Sequence, residues 1–137
     1  MRKTKKLIPI VALLLLAVTV TALATAHYYE GIAEGFVILD NGDTLRPMAE
    51  WEGTWDDVSG TFSGTWYDAD YPASGTFNGR VSNNVLTGTW SIDNAIPDPI
   101  GNIWGDVDAD TVDGHGDAAY LENPPPAWFD WTSTSSD

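Results

Sequence analysis

A Gly-Thr-aromatic tripeptide recurs through the middle of this chain and limits the folds that the chain can adopt. Copies begin at Gly53, Gly64, Gly75 and Gly88, with a further copy at Gly60. The main copies recur at close to the roughly 8–12 residues that one strand and its turn occupy. Beyond the N-terminal segment, apolar residues alternate with a period of two and show no convincing helical period of 3.6. The pattern therefore predicts an all-β fold.

The tripeptide also predicts which residues face the interior. Residues two apart in a strand share a face, so each glycine and its aromatic neighbour point one way and the threonine points the other. The expected inner face comprises Gly53, Trp55, Phe62, Gly64, Trp66, Gly75, Phe77, Gly79, Val81, Leu86, Gly88, Trp90 and Ile92. The threonines are expected on the outer face.

Turn signals between the strands set the expected pairing. A turn at residues 83–84 places Phe77 opposite Trp90. The loop at residues 69–72 can place Trp66 opposite Gly75, so that aromatic rings lie over glycines of the neighbouring strand. Rings cover glycines in this way in strongly curved sheets. We predict an antiparallel meander, or a small β-barrel or sandwich, of about six to eight short strands.

Two further segments extend the predicted sheet. Asn41-Gly42 suits a two-residue hairpin turn of type I′, which would place Ile38 opposite Leu45. Residues 103–112 (IWGDVDADTV) alternate again and are predicted to form the last long strand. From Glu122 onward, the proline-rich sequence predicts a stiffened tail.

The N-terminus has the order of charges typical of a secretion signal. Four basic side chains in the first six residues precede the uncharged run at residues 7–26, which ends in overlapping small-x-small sites. Cleavage after Ala26 would make His27 the first residue. An uncleaved membrane anchor is the alternative, because about 20 apolar residues can cross a bilayer. We predict a signal peptide over residues 1–26 and a secreted, extracellular or cell-surface protein.

The remaining chain is long enough for one domain. We expect a single all-β domain over residues 27–122 and a proline-rich aromatic tail over residues 123–137. Only Arg46 and Arg80 remain to face 20 acidic residues, which is two positive against 20 negative charges, or −18. Nucleic acid is excluded as a partner because phosphate binding needs clustered Lys or Arg. Because the chain contains no cysteine, no disulfide supports the fold.

The two histidines suggest a copper site. After cleavage, the amine and ring of His27 could chelate Cu(II), and His115 would supply a further nitrogen. The placement resembles the histidine-brace proteins, and Asp113 before His115 resembles the ligand pair of periplasmic copper carriers. The resemblance implies His27, Asp113 and His115 as copper ligands. Two unrelated surface histidines are the alternative, since spacing cannot show convergence.

An aspartate-rich segment suggests a calcium site. Calcium prefers carboxylate oxygens, and alternate aspartates occur in calcium-binding loops. The candidate ligands are Asp106, Asp108, Asp110, Asp113 and Asp117. The segment lacks the glycine and the final glutamate of an EF-hand. The outer face of an edge strand, charged against aggregation, explains the same alternation.

The aromatic residues suggest carbohydrate binding. The chain has seven Trp and five Tyr, and flat rings with neighbouring carboxylates can bind sugars. Candidates outside the repeat lie in a loop and in the predicted tail. They are Tyr67, Asp68, Asp70, Tyr71, Trp128 and Trp131. The tail aromatics could instead dock on another molecule as an added strand, or fold back over the core.

Two segments resemble strands of a known family. The sequences SGTWYD (63–68) and LTGTW (86–90) are similar to the opening strands of the avidin family, in which such strands line a barrel around biotin. The chain after Trp90 is short for the remainder of such a barrel. We therefore treat the similarity as a pattern shared by β-strands.

The expected function follows from what the motifs allow. The sequence contains no Gly-x-Ser-x-Gly elbow, no HExxH and no phosphate loop, so we expect no enzyme activity. We expect a non-catalytic structural or binding module that takes a glycan or a cell-surface protein as its ligand. Binding of Cu or Ca is one alternative. Self-association through edge strands and the aromatic tail is another.

Overall fold

A computed structural model describes residues 26–136 of the chain. The predicted signal peptide, apart from Ala26, lies outside the described residues. The described part contains nine strands: β1 Ala26–Ile38, β2 Thr44–Leu45, β3 Met48–Asp56, β4 Thr61–Asp68, β5 Ala73–Ser82, β6 Val85–Ile92, β7 Gly101–Val107, β8 Val112–Asp117 and β9 Ala127–Ser136. Within residues 26–136, no helix is long and apolar enough to span a membrane.

Eight of these strands form a closed antiparallel barrel. Neighbours in the chain pair in order, and β1 pairs with β3 on one side and with β9 on the other. The extra strand, β2, pairs only with the end of β1, where Leu45 lies opposite Val37. The predicted all-β antiparallel fold is confirmed. The closed barrel is the form that it takes.

The Gly-Thr-aromatic repeat has the predicted inner face and pairing. Trp66 lies opposite Gly75 and Phe77 lies opposite Trp90. Every residue of the expected inner face is buried or half-buried. Asn83 and Asn84 both have positive φ, at 53° and 65°, as a type I′ turn requires.

Rings cover glycines on adjacent strands, which explains the repeat physically. A Cβ added to Gly75 would collide with the indole of Trp66, and one added to Gly31 would collide with the indole of Trp51. A strand can therefore approach its neighbour closely where it lacks a side chain, and the aromatic ring fills the space. The inner layer of the barrel is built from these pairs.

The first hairpin differs from the prediction by one residue. The observed partners are Val37 with Leu45 and Ile38 with Thr44. Only Gly42 has a positive φ, at 86°, whereas a type I′ turn needs two such residues. The amide of Gly42 donates to the carbonyl of Leu39, and the amide of Leu39 donates to the carbonyl of Asp43, so the loop comprises the three residues 40–42. The predicted two-residue turn and the pairing of Ile38 with Leu45 are therefore wrong.

The C-terminal third forms three strands where one long strand and a tail were predicted. A turn over residues 108–111 divides the segment 103–112 between β7 and β8. Residues 127–136, predicted as part of a tail, are β9 and pair with both β1 and β8. Within the described residues, every barrel strand thus has two neighbours, and β2 alone keeps an open edge. Among the described residues, edge-to-edge pairing with another molecule could therefore use only the two-residue strand β2.

One end of the barrel is filled by a tight apolar core. Its central side chains are no more than 1% exposed. They are Tyr29, Phe62, Leu86, Val107 and Val112. Each lies near a strand terminus on the side of the turns at 57–60, 83–84 and 108–111. This end is therefore closed, and the opposite end carries the longer loops.

Candidate functional site

The barrel contains a cavity at the end opposite the closed core. Its volume is about 360 Å³, and it is partly open to solvent. The loops around it join β4 to β5, β6 to β7 and β8 to β9. Ligand sites in proteins usually occupy about 300 to 1,000 Å³, often in the mouths of barrels. The cavity is therefore the candidate functional site of this chain.

The cavity is lined almost entirely by carbon atoms. The inner walls carry the aromatic residues Trp51, Trp66, Phe77, Trp90, Phe129 and Trp131, together with Ile92, Ile100 and Ile103. Small residues on the inner face leave the space between the rings. They are Ala33, Gly35, Ala49, Ala73, Ala118 and Ala127. A wide aromatic wall with small residues between the rings can accept an apolar molecule.

Hydrogen bonds to the backbone remove most indole N–H groups from the cavity wall. Nε1 of Trp66 donates to the carbonyl of Ser91 at 3.0 Å. Nε1 of Trp131 donates to the carbonyl of His115 at 3.0 Å, and Nε1 of Trp90 donates to Asp117 in the same way. Buried donors that are bonded to the backbone cannot bind a ligand, so these rings present carbon to the cavity.

Asp68 is one of two charged residues in the otherwise apolar lining, which also contains the buried and unbonded Nε1 of Trp51. It is the last residue of β4 and lies on the inner face, two residues after Trp66. Its side chain is 4% exposed and lines the cavity. Oδ1 accepts the amides of Asp70 and Tyr71, at 3.0 and 3.3 Å, which orders the β4–β5 loop. Oδ2 accepts no hydrogen bond from residues 26–136.

The second carboxylate beside the cavity is engaged differently. Asp117 ends β8, and its Oδ1 accepts the amides of Asn102 and Ala119, at 2.9 and 3.1 Å. The side-chain amide of Asn102 lies 3.5 Å from the same oxygen. These bonds fix Asp117 to neighbouring backbone at the rim. Its carboxylate therefore stabilises the start of β7 and the loop after β8.

The rim of the cavity carries an exposed aromatic stack. Trp128 stacks on Phe36 of the neighbouring strand, with ring centroids 5.4 Å apart and planes at 18°. The guanidinium of Arg46 lies 5.4 Å from the Phe36 centroid. Trp128 is 46% exposed and Tyr71 is 51% exposed, and both border the cavity. Trp128 and Tyr71 therefore add exposed aromatic surface to a rim that also carries Asp117.

The structure brings together four of the six residues predicted to bind a ligand. Asp68, Tyr71, Trp128 and Trp131 all line the cavity. Trp131 is a buried wall residue and not an exposed tail residue. Tyr67 and Asp70 are exposed and do not line it. The small inner residues Ala33, Gly35, Ala49 and Ala73 were not predicted to belong to a site. The available signal was the two-residue alternation along β1, β3 and β5, which places them on the inner face.

The residues predicted to bind copper do not form one cluster. Nε2 of His27 lies 3.0 Å from Oδ2 of Asp57, and its ring stacks on Trp55. Nδ1 of His115 lies 2.6 Å from Oδ1 of Asp130, on the exposed face of β8. No group of three or more His, Cys, Asp or Glu side chains in residues 26–136 could hold a metal ion. Strand alternation explains this, because His115 points outward while His27 shares the inner face of Tyr29.

The predicted calcium ligands are also dispersed. Asp106 and Asp113 lie opposite each other on the outer faces of β7 and β8. Asp108 is a turn residue, whose Oδ1 accepts the amides of Asp110 and Thr111 at 2.8 and 2.7 Å. The amides of Thr111 and then Asp110 lower the pKa of Asp108 below its ordinary value of 3.8. Asp108 thus closes the β7–β8 turn.

This turn predicts a specific acid sensitivity. Because its pKa is lower in the folded state, Asp108 stabilises the fold above about pH 3.8 and loses that contribution as the pH falls through the folded pKa. We expect the melting temperature of the wild type to fall relative to Asp108→Asn below this pH, since asparagine keeps the acceptor but does not titrate. Thermal unfolding of both proteins between about pH 7 and about pH 2 measures this. A constant difference across the range would contradict the assignment.

Comparison with known proteins found no protein-family model that matches the chain and no curated protein that matches its sequence. The segments 63–68 and 86–90, which resemble avidin-family strands, form parts of β4 and β6. The strands after Trp90 suffice to close this barrel.

Proposed function

We propose that this chain is a secreted, non-catalytic binding protein that holds a small apolar molecule in the open end of its barrel. The observation that carries the proposal is the cavity of about 360 Å³ between aromatic walls. Its walls belong to strands that are paired on both sides, so the site is formed before the ligand arrives. Such preorganisation lowers the entropic cost of binding.

Burial of apolar surface would supply the affinity. Each methylene group moved from water into the cavity contributes about 0.8 kcal/mol. The indole donors of Trp66, Trp90 and Trp131 are already bonded, so an apolar ligand leaves none of them unsatisfied. We therefore expect affinity to rise with the length of an alkyl chain until the cavity is full.

An apolar ligand suits this cavity better than a carbohydrate. A sugar that enters it would lose water from several hydroxyl groups, and each unpaired group costs about 1–3 kcal/mol. Asp68 offers an acceptor, whereas the sugar needs several polar partners. A glycan could contact the exposed residues Tyr67 and Asp70, but these lie outside the cavity. The ligand that we propose is accordingly apolar.

Export and the absence of catalysis are parts of the same proposal. Export is supported by the basic and apolar order of the N-terminal segment. A binding role is supported by walls that present carbon, because catalysis of polar reactions needs several converging polar groups. A partner protein at the cell surface remains compatible with the exposed rim around Trp128.

A cavity-filling substitution tests the binding function. Ala49 lines the cavity opposite Ala33, so Ala49→Trp should occupy the space that the ligand needs. We expect the wild type to increase the fluorescence of the neutral probe N-phenyl-1-naphthylamine, and decanol to displace it. The variant should bind the probe at least about 10-fold more weakly. Titration monitored by probe fluorescence measures both.

A matched control adds the same ring away from the cavity. Val58 lies in the β3–β4 turn at the closed end and is 71% exposed, so Val58→Trp should leave probe binding unchanged. Urea unfolding of all three proteins shows whether they are folded. Equal probe affinity in wild type and Ala49→Trp, or no binding by the folded wild type, would contradict the proposed function.

A further inference from the structure

We infer that the ligand carries a protonated amine that pairs with Asp68, an inference that rests on the proposed binding function. The expected ligand class is therefore an apolar amine, with its hydrocarbon part between the aromatic walls. Neutral lipids and fatty acids would share the hydrocarbon part but lack the cation. The support comes from the burial of Asp68, its free oxygen and the charges around it.

The burial of Asp68 is unusual for this chain. It is the one buried charged residue among residues 26–134, at 4% exposure, although the chain carries 20 acidic residues. Buried carboxylates are normally paired or fully hydrogen-bonded, because removing a charge from water is unfavourable. The two amides at Oδ1 order the loop and leave Oδ2 without a protein donor in the described residues. Oδ2 is not among the fully enclosed atoms that lack a partner, so a donor on a ligand in the cavity can reach it and complete the coordination of this carboxylate.

The neighbours of Asp68 leave room for such a donor. Ala73 lies directly opposite on β5. On the other side, Ala49 is one residue beyond the pair of Glu50 and Tyr67, and so lies at the level of Asp68. Both alanines line the cavity. The carboxylate therefore lies between two small side chains, where an ammonium group can approach it.

The charge around the cavity selects a cation over an anion. Among residues 26–136, no Lys, Arg or His side chain lines the cavity, and the two charged residues that border it, Asp68 and Asp117, are both acidic. Arg46 lies over Phe36, and Arg80 is exposed on the outer face of β5. The chain after the predicted signal carries −18, two positive against 20 negative charges. This field attracts cations and repels fatty-acid carboxylates.

Aromatic rings beside Asp68 also favour an ammonium group. Trp66 precedes it by two residues on the same face, and Tyr71 follows it in the loop that its Oδ1 orders. Both rings line the cavity. The face of an aromatic ring attracts a cation, more strongly where water is excluded. The carboxylate and two aromatic rings thus belong to the same lining, which an amine in the cavity would contact.

A matched series of ligands tests the inference. Decylamine, decanol and decanoate share one alkyl chain and differ in the charge of the head group. We expect decylamine to displace N-phenyl-1-naphthylamine at a concentration at least about 10-fold lower than decanol, and decanoate to be the weakest. Isothermal titration calorimetry with each compound gives the affinities directly.

Two substitutions in one loop assign the effect to Asp68. Asp68→Asn keeps an oxygen for the amides of Asp70 and Tyr71 and removes the charge, so the loop should stay ordered. We expect it to lower the affinity for decylamine about 30-fold, as loss of a buried ion-pair partner does, and the affinity for decanol less than about 2-fold. Asp70→Asn removes an exposed charge from the same loop and should change neither affinity.

The outcomes separate this inference from the proposed function. If decanol binds and decylamine binds no better, the inference is wrong while the apolar site stands. If decylamine binds better than decanol but Asp68→Asn and Asp70→Asn lower its affinity equally, the preference for the amine comes from the overall negative charge and not from Asp68, and the inference is wrong. If no compound and no probe binds to the folded wild type, the proposed function fails and the inference fails with it.

Discussion

Removal of residues 127–137 is expected to unfold the whole barrel. These residues contain β9, which pairs with β1 along one side and with β8 along the other. Without it, both of those strands expose an unpaired edge and the ring opens. Trp131 is 4% exposed, and its ring meets that of Trp51 edge-on at a centroid distance of 5.4 Å. Its loss therefore also exposes the core that fills the barrel.

Circular dichroism and urea unfolding monitored by tryptophan fluorescence measure this effect. A domain of this size is stable by only about 5–15 kcal/mol, and loss of a central strand with a buried tryptophan removes enough to eliminate the folded state. The control is removal of residues 134–137 alone, which keeps Trp131 and most of the pairing of β9. We expect the control to unfold cooperatively. A cooperative transition in the longer deletion would show that β9 is the tail that the sequence pattern predicts.

Gly75→Ala is expected to destabilise the fold by about 3 kcal/mol, at the upper end of the usual cost of overpacking. A Cβ at this position would overlap the carbonyl oxygen of Ser91 on the next strand, and also the indole of Trp66. The carbonyl belongs to the β5–β6 ladder and cannot move without breaking the sheet. Urea unfolding gives the loss of unfolding free energy.

A second glycine provides the matched comparison. At Gly116 the nearest atoms to an added Cβ all belong to the ring of Phe129. Gly116→Ala should therefore cost less, about 1–3 kcal/mol, and part of the cost should disappear when Phe129→Ala is added. Trp66→Ala should give no such relief to Gly75→Ala, because the Ser91 carbonyl remains. Equal relief at both sites would contradict the distinction between ring and backbone contacts.

These two predictions bear on the proposed binding site. The same rings that cover glycines also form the walls of the cavity, notably Trp66 and Trp131. Each indole is held by a hydrogen bond from its Nε1 to a backbone carbonyl. The cavity is therefore shaped by the contacts that stabilise the barrel. Substitution of a wall residue should therefore change both the free energy of unfolding and the probe affinity. Substitution of Asp68 should not change these two quantities together.

The amino-acid sequence determined the local structure of this protein. Alternation of glycine and aromatic residues with threonine identified the inner face of β4, β5 and β6, because strand side chains alternate with a period of two. The Asn83-Asn84 pair identified its turn, because both residues adopt positive φ readily. The first hairpin was predicted one residue out of register, since Gly42 alone takes the positive φ. The inner face and the turn at residues 83–84 depend on neighbours within a few residues, which the sequence displays.

The tertiary structure decided what a pattern of neighbours cannot show. The proline-rich segment reads as a tail, yet β9 closes the ring because the free edges of β1 and β8 need partners and its aromatics fill the core. The cavity exists because small residues from distant strands meet at one level of the barrel. Asp68 was identified as a ligand-binding candidate from its loop, but its burial and its free Oδ2 depend on the strands on either side. Alternation fixes the face on which a side chain lies, whereas closure of the sheet fixes which side chains share the interior.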